Sequence, residues 1–343
     1  MKAELAAGRY VSAGHGKVKF AEYAEQWRQA QVHRDATEVL TERAFQLYVN
    51  PHIGHLPLTG IKPSRVQAMV KALSDELSPA FVHIVYGYVA SVMKAAVRDR
   101  VIGRSPCEGI RLPEVPKRPA YVPTVNQVEE VASYLPDYYR AVPLIAARSG
   151  LRPSELLGLE VGSIDFLRRE IHVTQQLVTT SKKGNAAYLA PPKTRESVRT
   201  VPVDQECIDL IAAHLAKFPA TDAMVLDSTD LRRPKTRPAR LLFLSATGAP
   251  VKRTTWSGAW QPAARKAGFP ARTGLHCCRH FSASALIRFG ESVKTVQAAL
   301  GHSSPAITLG VYAHLRPDSD DRVRAAIIAA FTCAPDVHSQ VQD

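Results

Sequence analysis

Residues 273–280 read Thr-Gly-Leu-His-Cys-Cys-Arg-His. Two further segments, one before and one after them in the chain, also contain residues suited to phosphate chemistry. Residues 149–156 read Ser-Gly-Leu-Arg-Pro-Ser-Glu-Leu, and residues 300–304 read Leu-Gly-His-Ser-Ser, with Tyr312 ten residues after His302. On a helix, His276 and Arg279 lie on one face, because side chains three residues apart are neighbours. This spacing places a group that can move a proton beside a permanent cation.

Arg152 is predicted to lie at the start of a helix, because proline at 153 is favoured in the first turn. Backbone N–H groups at such an end already attract an anion. The planar guanidinium groups of Arg152 and Arg279 match the geometry of phosphate oxygens. The two arginines are therefore predicted to clamp one phosphodiester and to offset the charge of its transition state without a metal ion.

The charge of the whole chain agrees with a polyanionic partner. The 343 residues contain 44 lysines and arginines against 31 acidic residues, a formal charge of +13, and the parts before and after residue 112 are both basic. The hydrophobic fraction of 45% is that of a folded protein and excludes a largely disordered chain.

No apolar run is long enough for a bilayer span or a secretory signal, and the longest, such as residues 325–331, are much shorter than about 20 residues. The five cysteines are odd in number and lack a Cys-x-x-Cys spacing, which argues against a disulfide scaffold. We expect a cytoplasmic protein with no membrane partner.

The fold class expected is mainly α with a small antiparallel β-sheet (α+β), in two domains. Residues 18–112 are predicted to form a helical bundle, including a helix over 38–49 that ends before Pro51. A proline-rich linker spans 113–123, the second domain spans 124–333, residues 1–17 are an N-terminal extension and 334–343 a tail. Strands are predicted at 170–176, 187–190 and 199–203.

Residues 229–240 are predicted to form an exposed basic loop, read either as an arm that contacts phosphates or as a solvated insertion. The candidate DNA-binding residues in this loop and in the linker are Lys117, Arg118, Arg232, Arg233, Lys235 and Arg237.

The three segments, in this order, resemble the tyrosine recombinases, and most of all the integrases of temperate phages. The likeness covers nearly the whole chain, with residues 18–112 similar to the family's core-binding domain. The family's catalytic set corresponds to Arg152, Lys193, His276, Arg279, His302 and Tyr312. The resemblance places Lys193 at the β-hairpin position before the strand 199–203.

The resemblance implies that Tyr312 attacks the scissile phosphate and forms a 3′-phosphotyrosyl enzyme. Lys193 would protonate the leaving 5′-hydroxyl, His276 would act as general base, and His302 would hydrogen-bond a phosphate oxygen. A second duplex's 5′-hydroxyl would then reseal the strand, with no cofactor and no metal. The implied partners are double-stranded DNA crossover sites in the host-cell nucleoid, a homotetramer on a Holliday junction and a recombination directionality factor.

Several features depart from the family pattern or invite another interpretation. Cys277 and Cys278 stand where the family more often has an acidic and an apolar residue. His276 and His280 with these cysteines resemble a zinc set, but consecutive helical residues diverge too far to converge on one ion. Glu155 and His280 are expected to support the catalytic residues. Only about 17 residues stand where two-site phage integrases carry an arm-type DNA-binding domain, so the chain is either truncated or acts on simple sites.

Two other functions share parts of this pattern. A type IB topoisomerase would use the same chemistry to relax DNA, and a repressor would bind DNA with an inactive site. The complete set of six residues argues against a repressor. The separate core-binding domain and the integrase-like segment Leu300-Gly-His302 favour a recombinase over a topoisomerase. The last helix, predicted near 319–331, is expected to dock onto a neighbouring protomer.

Overall fold

The structure is a computed structural model that describes residues 17–116, 119–180, 186–302 and 304. It divides into two compact units. Within the described residues, the N-terminal unit comprises 17–116 with 180, and the C-terminal unit comprises 119–179, 186–302 and 304.

The described part of the N-terminal unit consists of helices and their connections, with one isolated antiparallel β-bridge between Lys19 and Pro57. Its helices are α1 (Phe20–Gln29), α2 (Asp35–Ala44), α3 (Pro63–Glu76) and α4 (Pro79–Arg98), with a π-helix over Phe45–Gly54 and a 3₁₀ turn over Leu58–Gly60. The apolar residues of α1 and α4 fall at helical spacing and meet in one core, which includes Phe20, Val85 and Val89. The predicted helical bundle is confirmed.

The helix predicted to end before Pro51 does not end there. It runs from Asp35 to Gly54, and its second half, which contains Pro51, is a π-helix. Proline in an α-helix removes one hydrogen bond and its ring clashes with the carbonyl four residues earlier. The wider π turn changes the hydrogen-bond register, so the chain continues past Pro51 instead of breaking.

Among the described residues, α4 is long and apolar enough to cross a membrane by length and composition alone. The sequence inspection missed it because polar residues such as His83 interrupt the apolar run. Its valines at 82, 85, 89 and 92 are buried in the core of the N-terminal unit. Packing in this core accounts for its apolar character.

The C-terminal unit surrounds a larger core. Its helices are α5 (Val125–Tyr134), α6 (Ala141–Ser149), α7 (Pro153–Leu157), α8 (Gln205–Lys217), α9 (Arg253–Lys266), α10 (His276–Arg288) and α11 (Val293–Leu300). The capping box predicted at Thr124 is present, since the Gln127 backbone N–H donates to Thr124 Oγ1 at 3.2 Å and the Thr124 N–H donates to Gln127 Oε1 at 3.0 Å.

Two small sheets complete the C-terminal unit. One is antiparallel, with the order β1 (Ile164–Asp165), β2 (Glu170–Val173), β5 (Arg199–Pro202). The other has the order β3 (Gln176–Thr179), β4 (Ala187–Ala190), β6 (Ala223–Asp227), β7 (Lys235–Ala239), and its β4–β6 pair is parallel. The α+β class is confirmed, with two sheets in place of the single antiparallel sheet expected.

The predicted basic loop over 229–240 is partly wrong. Residues 235–239 form β7, which pairs with β6 in a hairpin, with Asp227 opposite Lys235. Two prolines and five basic residues concealed this strand in the sequence. Pro238 is tolerated because β7 lies at an edge of its sheet, where one side of the backbone needs no partner.

Candidate active site

Arg152 lies directly before α7, as the proline at 153 predicted. Its Nη1 donates to Glu155 Oε1 at 2.6 Å and to Ser197 Oγ at 3.1 Å, and its Nη2 donates to Gly301 O at 2.7 Å. Glu155, one turn further along the chain, and two distant segments therefore hold one guanidinium in a single orientation. Within the described residues its Nε makes no hydrogen bond, which leaves a donor for a ligand.

Glu155 is the buried carboxylate of the site, with a side chain only 2% exposed. Burial by itself would raise the pKa of its carboxyl, but hydrogen bonds and charge from Arg199 and Arg152 outweigh burial and lower the pKa below its usual value. The carboxylate is therefore ionised at neutral pH and orients Arg152.

Arg279 lies in the first turn of α10 and is 1% exposed. Its Nη1 donates to Gly150 O at 2.7 Å and its Nη2 to Leu300 O at 2.5 Å. A side chain at residue 150 would come within 2.7 Å of Leu300 Cδ2, and φ is +64° there, so glycine is needed for this approach. The turn at Gly150 thus brings the Arg152 and Arg279 segments together.

The two histidines of the predicted set are neutral in this environment. His276 begins α10 with an exposed side chain, while His302 is 9% exposed. Surrounding atoms displace water from part of each ring and lower its pKa, to about 4 in the buried His302, and the positive charges of Arg279 and Arg152 add to the effect. Each imidazole is therefore unprotonated at neutral pH and has a ring nitrogen that can accept a hydrogen bond.

Lys193 is exposed and lies between β4 and β5. These strands belong to different sheets, so residues 191–198 connect two sheets and do not form the hairpin turn predicted for Lys193. The hairpin of this region is β3–β4. The next residue, Thr194, has its hydroxyl 3.2 Å from that of Ser197, which in turn accepts from Arg152, so the connection is tied to the cluster.

The cysteine pair within the third motif is buried in the core. Cys277 is 3% and Cys278 0% exposed, and both pack in the main hydrophobic cluster of the C-terminal unit. A hydrogen bond with Cys277 that favours the protonated thiol, together with burial, raises the pKa of Cys278 well above its usual value. The two residues act as small apolar side chains on the inner face of α10.

The ring of His280 meets that of His276 edge to face, with centroids 4.8 Å apart. Positive charge on His280 and on Arg279 contributes to the low pKa of His276. The described residues contain no group of three or more histidine, cysteine or acidic side chains placed to hold a metal ion.

The predicted DNA-binding residues differ in their surroundings. Arg232, Arg233 and Lys235 are exposed at the β6–β7 hairpin. Arg237 instead donates to Glu160 Oε1 at 2.7 Å and to Asp227 Oδ2 at 2.6 Å, so two carboxylates already neutralise its charge. Its predicted role as a phosphate contact is therefore not supported.

Several predictions fall outside the described residues. They concern the N-terminal extension, Lys117 and Arg118 of the linker, the nucleophile Tyr312, the helix near 319–331 and the tail 334–343.

Sequence reasoning missed Arg199, whose side chain is 7% exposed. Its Nη2 donates to Glu155 Oε2 at 3.0 Å and its Nη1 to Glu155 Oε1 at 3.3 Å. The available signal was an arginine inside a predicted strand, between residues that alternate in hydrophobicity. That signal was weak, because arginine is also common on exposed strand faces.

A cavity of about 600 Å³ lies apart from this cluster and is bordered by Glu160, Thr174, Gln175, Asp222 and Arg240 among others. None of the five predicted catalytic residues that the structure describes lines it. The cluster is instead arranged around the helix ends that meet at Gly150 and Gly301.

Comparison with known families accounts for both units. The Phage integrase family profile matches residues 122–318, and the Phage integrase central domain matches residues 20–112. The chain belongs to the phage integrase family. It is a tyrosine recombinase of integrase type, as the ordered motifs predicted.

Individual relatives support this assignment. The chain is 26% identical over 299 residues to the tyrosine recombinase XerC-like protein of Caldanaerobacter subterraneus subsp. tengcongensis, across 83% of this chain and 75% of that protein. It is 24% identical over 303 residues to the integrase of Mycobacterium phage L5, across 88% and 76% of the two chains.

Solved structures share the fold. The Tn1549 transposon integrase in complex with transposon right end DNA superposes with a TM-score of 0.76 at 22% identity, over 91% of this chain and 99% of that one. A lambda integrase tetramer bound to a Holliday junction gives a TM-score of 0.61 at 15% identity, over 92% and 80%. At these identities the likeness establishes the fold.

Proposed function

We propose that this integrase inserts and excises DNA by breaking and rejoining duplex strands through a phosphotyrosine linkage. The observation that carries the proposal is the cluster in which Arg152 and Arg279 are held beside His276 and His302. Three arginines against one buried carboxylate leave a net positive site, which suits a phosphodiester and its more highly charged transition state.

In this scheme the Tyr312 hydroxyl oxygen attacks the scissile phosphorus. The bond from phosphorus to the 5′ oxygen breaks, and Lys193 gives a proton to that oxygen. His276 accepts the tyrosine proton, for which its neutral ring is suited. A 5′-hydroxyl of the partner duplex then attacks the phosphotyrosine, so one phosphodiester is exchanged for another and no external energy source is consumed.

DNA binding and catalysis are assigned to different parts of the chain. We propose residues 18–112 as the core-type DNA-binding domain, 113–123 as the linker and 124–333 as the catalytic domain. The overall charge is +13, and basic residues in both domains would contact the phosphates of the duplex. Arg232, Arg233 and Lys235 are proposed phosphate contacts, together with Lys117 and Arg118.

Assembly is proposed by analogy with the structural relatives. The lambda integrase forms a tetramer on a Holliday junction, and we propose the same state here on paired attachment sites. A recombination directionality factor would select excision over integration of a viral genome, and the reaction would take place at the host nucleoid.

The nucleophile is tested on a nicked suicide substrate, from which the short cut strand diffuses away and traps the covalent enzyme. The wild-type chain should form a covalent adduct, and Tyr312→Phe should bind the same DNA with unchanged affinity but form none. Denaturing gels detect the adduct, and electrophoretic mobility shift measures binding. An adduct that persists in Tyr312→Phe places the nucleophile elsewhere.

A two-site recombination assay run beside a supercoil relaxation assay separates the remaining functions. Exchange between two duplexes supports an integrase. Relaxation without exchange indicates a topoisomerase, and binding without any covalent adduct indicates a repressor.

A further inference from the structure

Three arginines converge on the C-terminal end of α11. Arg199 Nε donates to Ala299 O at 2.9 Å, Arg279 Nη2 to Leu300 O at 2.5 Å and Arg152 Nη2 to Gly301 O at 2.7 Å. The acceptors are three consecutive carbonyls, and the donors come from β5, α10 and the residue before α7. His302 follows directly on the chain.

This arrangement compensates the end of a helix. The last carbonyls of a helix have no partner within it and carry the negative end of its dipole. Gly301 turns the chain with φ +63°, and a Cβ there would lie 2.9 Å from Glu196 O and 3.1 Å from Arg199 Cδ. Glycine therefore allows Arg199 to reach under the helix end.

Arg199 differs from the other two arginines in its partners. It contacts both oxygens of Glu155 and also donates to Ser197 O at 3.0 Å. It links the carboxylate that orients Arg152 to the helix end that precedes His302.

We propose that Arg199 is a positioning residue for strand cleavage. By binding both oxygens of Glu155, it fixes the carboxylate that Arg152 Nη1 contacts at 2.6 Å, so that the Nε of Arg152 stays directed to the phosphate. By holding Ala299 O, it sets the place of His302. This inference rests on the proposed function, since its consequence is measured on the cleavage step.

Removal of the guanidinium should slow chemistry without weakening DNA binding. In Arg199→Met, Glu155 loses the two hydrogen bonds that fix its orientation, so Arg152 shifts together with the carboxylate, and the helix end loses one donor. We expect cleavage of the suicide substrate at saturating DNA to slow about 100-fold, the scale of a misplacement of about 1 Å. Arg199→Lys should recover part of the rate, because an ammonium reaches either partner but lacks the planar fork.

Arg148→Met is the matched control. Arg148 is also a C-terminal-unit arginine that pairs with two carboxylates, Asp204 and Glu206, but it has no contact with the three carbonyls. Its cleavage rate should stay within about threefold of wild type. Thermal melting of each variant shows whether it is folded at the assay temperature.

The pH profile separates positioning from a loss of folded protein. The charged groups acting on Glu155 are Arg152 and Arg199, and the carboxyl interacts in turn with His276. Without Arg199, burial raises the pKa of Glu155, so the acid limb of the cleavage rate should move to higher pH. A variant that is only less stable would have less folded protein. Once its rate is corrected for the folded fraction, the acid limb of its pH profile should lie at the same pH as that of wild type.

The double variant Glu155→Gln/Arg199→Met tests whether the unpaired charge of Glu155 alone accounts for the slower cleavage of Arg199→Met. It removes the orphaned carboxylate but leaves Ala299 O unheld, so it should cleave at least tenfold more slowly than Glu155→Gln alone. Equal rates for these two proteins, or wild-type cleavage and pH profile in Arg199→Met, overturn the proposal. Absence of cleavage by wild type would instead refute the proposed function.

Discussion

At the scale of single residues, the site is organised by hydrogen bonds to arginine. Arg152 has three side-chain contacts besides the bond from its own backbone N–H to Glu155. For the proposed function a planar group with several donors is required, because these contacts and the phosphate must be met at the same time. Charge alone is not sufficient.

Arg152→Lys is expected to bind DNA nearly as well as wild type while forming the covalent adduct at least 100-fold more slowly. The ammonium keeps the positive charge but cannot contact Glu155, Gly301 O and a phosphate together. Single-turnover adduct formation measures the rate, and Arg148→Lys serves as control. If Arg152→Lys formed the adduct at a rate within about threefold of wild type, positive charge alone would be sufficient at this position.

The stability of the C-terminal unit should fall as pH is lowered from 7 to 5. Its folded state holds the pKa of His302 at about 4, below the ordinary value of 6.5, so the unfolded chain binds more protons in this interval. The contribution of this residue amounts to about 2 kcal/mol. Chemical denaturation at the two pH values measures the loss.

His302→Gln should reduce this pH dependence, because glutamine does not titrate. A pH dependence equal to that of wild type would indicate that His302 titrates normally in the folded protein.

At the scale of elements, the groups of the candidate site lie at the ends of helices. α6 ends at Gly150 and α11 at Gly301, both in the left-handed conformation, and their terminal carbonyls accept from Arg279 and from Arg152. The short α7 then presents Arg152 and Glu155 from its first turn. The positions of these ends relative to one another therefore determine the geometry of the site.

Gly301→Ala should destabilise the C-terminal unit by about 1–3 kcal/mol and reduce cleavage, because φ +63° strains an alanine and its Cβ would crowd Glu196 O and Arg199. Urea unfolding and adduct formation measure the two effects.

Gly258→Ala is the matched substitution. Gly258 lies inside α9 with nothing within 4 Å of its added Cβ, so alanine should stabilise that helix by about 0.5–1 kcal/mol and leave cleavage unchanged. Equal effects of the two substitutions would refute the role assigned to Gly301.

At the scale of the whole molecule, each unit has its own core. Phe20, Val49 and Met93 belong to the core of the N-terminal unit, while Ile145 and Trp260 belong to that of the C-terminal unit. Separate cores of this size are expected to unfold as separate cooperative transitions.

DNA affinity should fall steeply with salt, and the slope should be larger for the full chain than for a fragment of residues 119–343. Each neutralised phosphate releases condensed counterions, so a fragment with fewer contacts loses less affinity per decade of salt. Fluorescence anisotropy titrations from about 50 to about 300 mM salt measure both slopes. Identical slopes would mean that the N-terminal unit makes no phosphate contacts.

Sequence by itself determined the family, the α+β class, the helical character of residues 20–98 and the chemical set around Arg152, Arg279 and His302. These properties follow from local rules: helical spacing, proline and glycine at helix ends, and residue types whose chemistry is limited. The strand over 235–239 and the π-helix through Pro51 escaped those rules, because pairing and packing overrode local propensity there.

Only the tertiary structure decided which arginines share the site. Arg199 lies 44 residues from Glu155 and 100 from Ala299, and Arg237, equally basic in sequence, is occupied by Glu160 and Asp227. Sequence records the type of a charged residue, but its partners depend on contacts between distant segments. The physical reason is burial: inside the protein each charge must find a counter-charge or a hydrogen bond, and the fold alone sets which one is within reach.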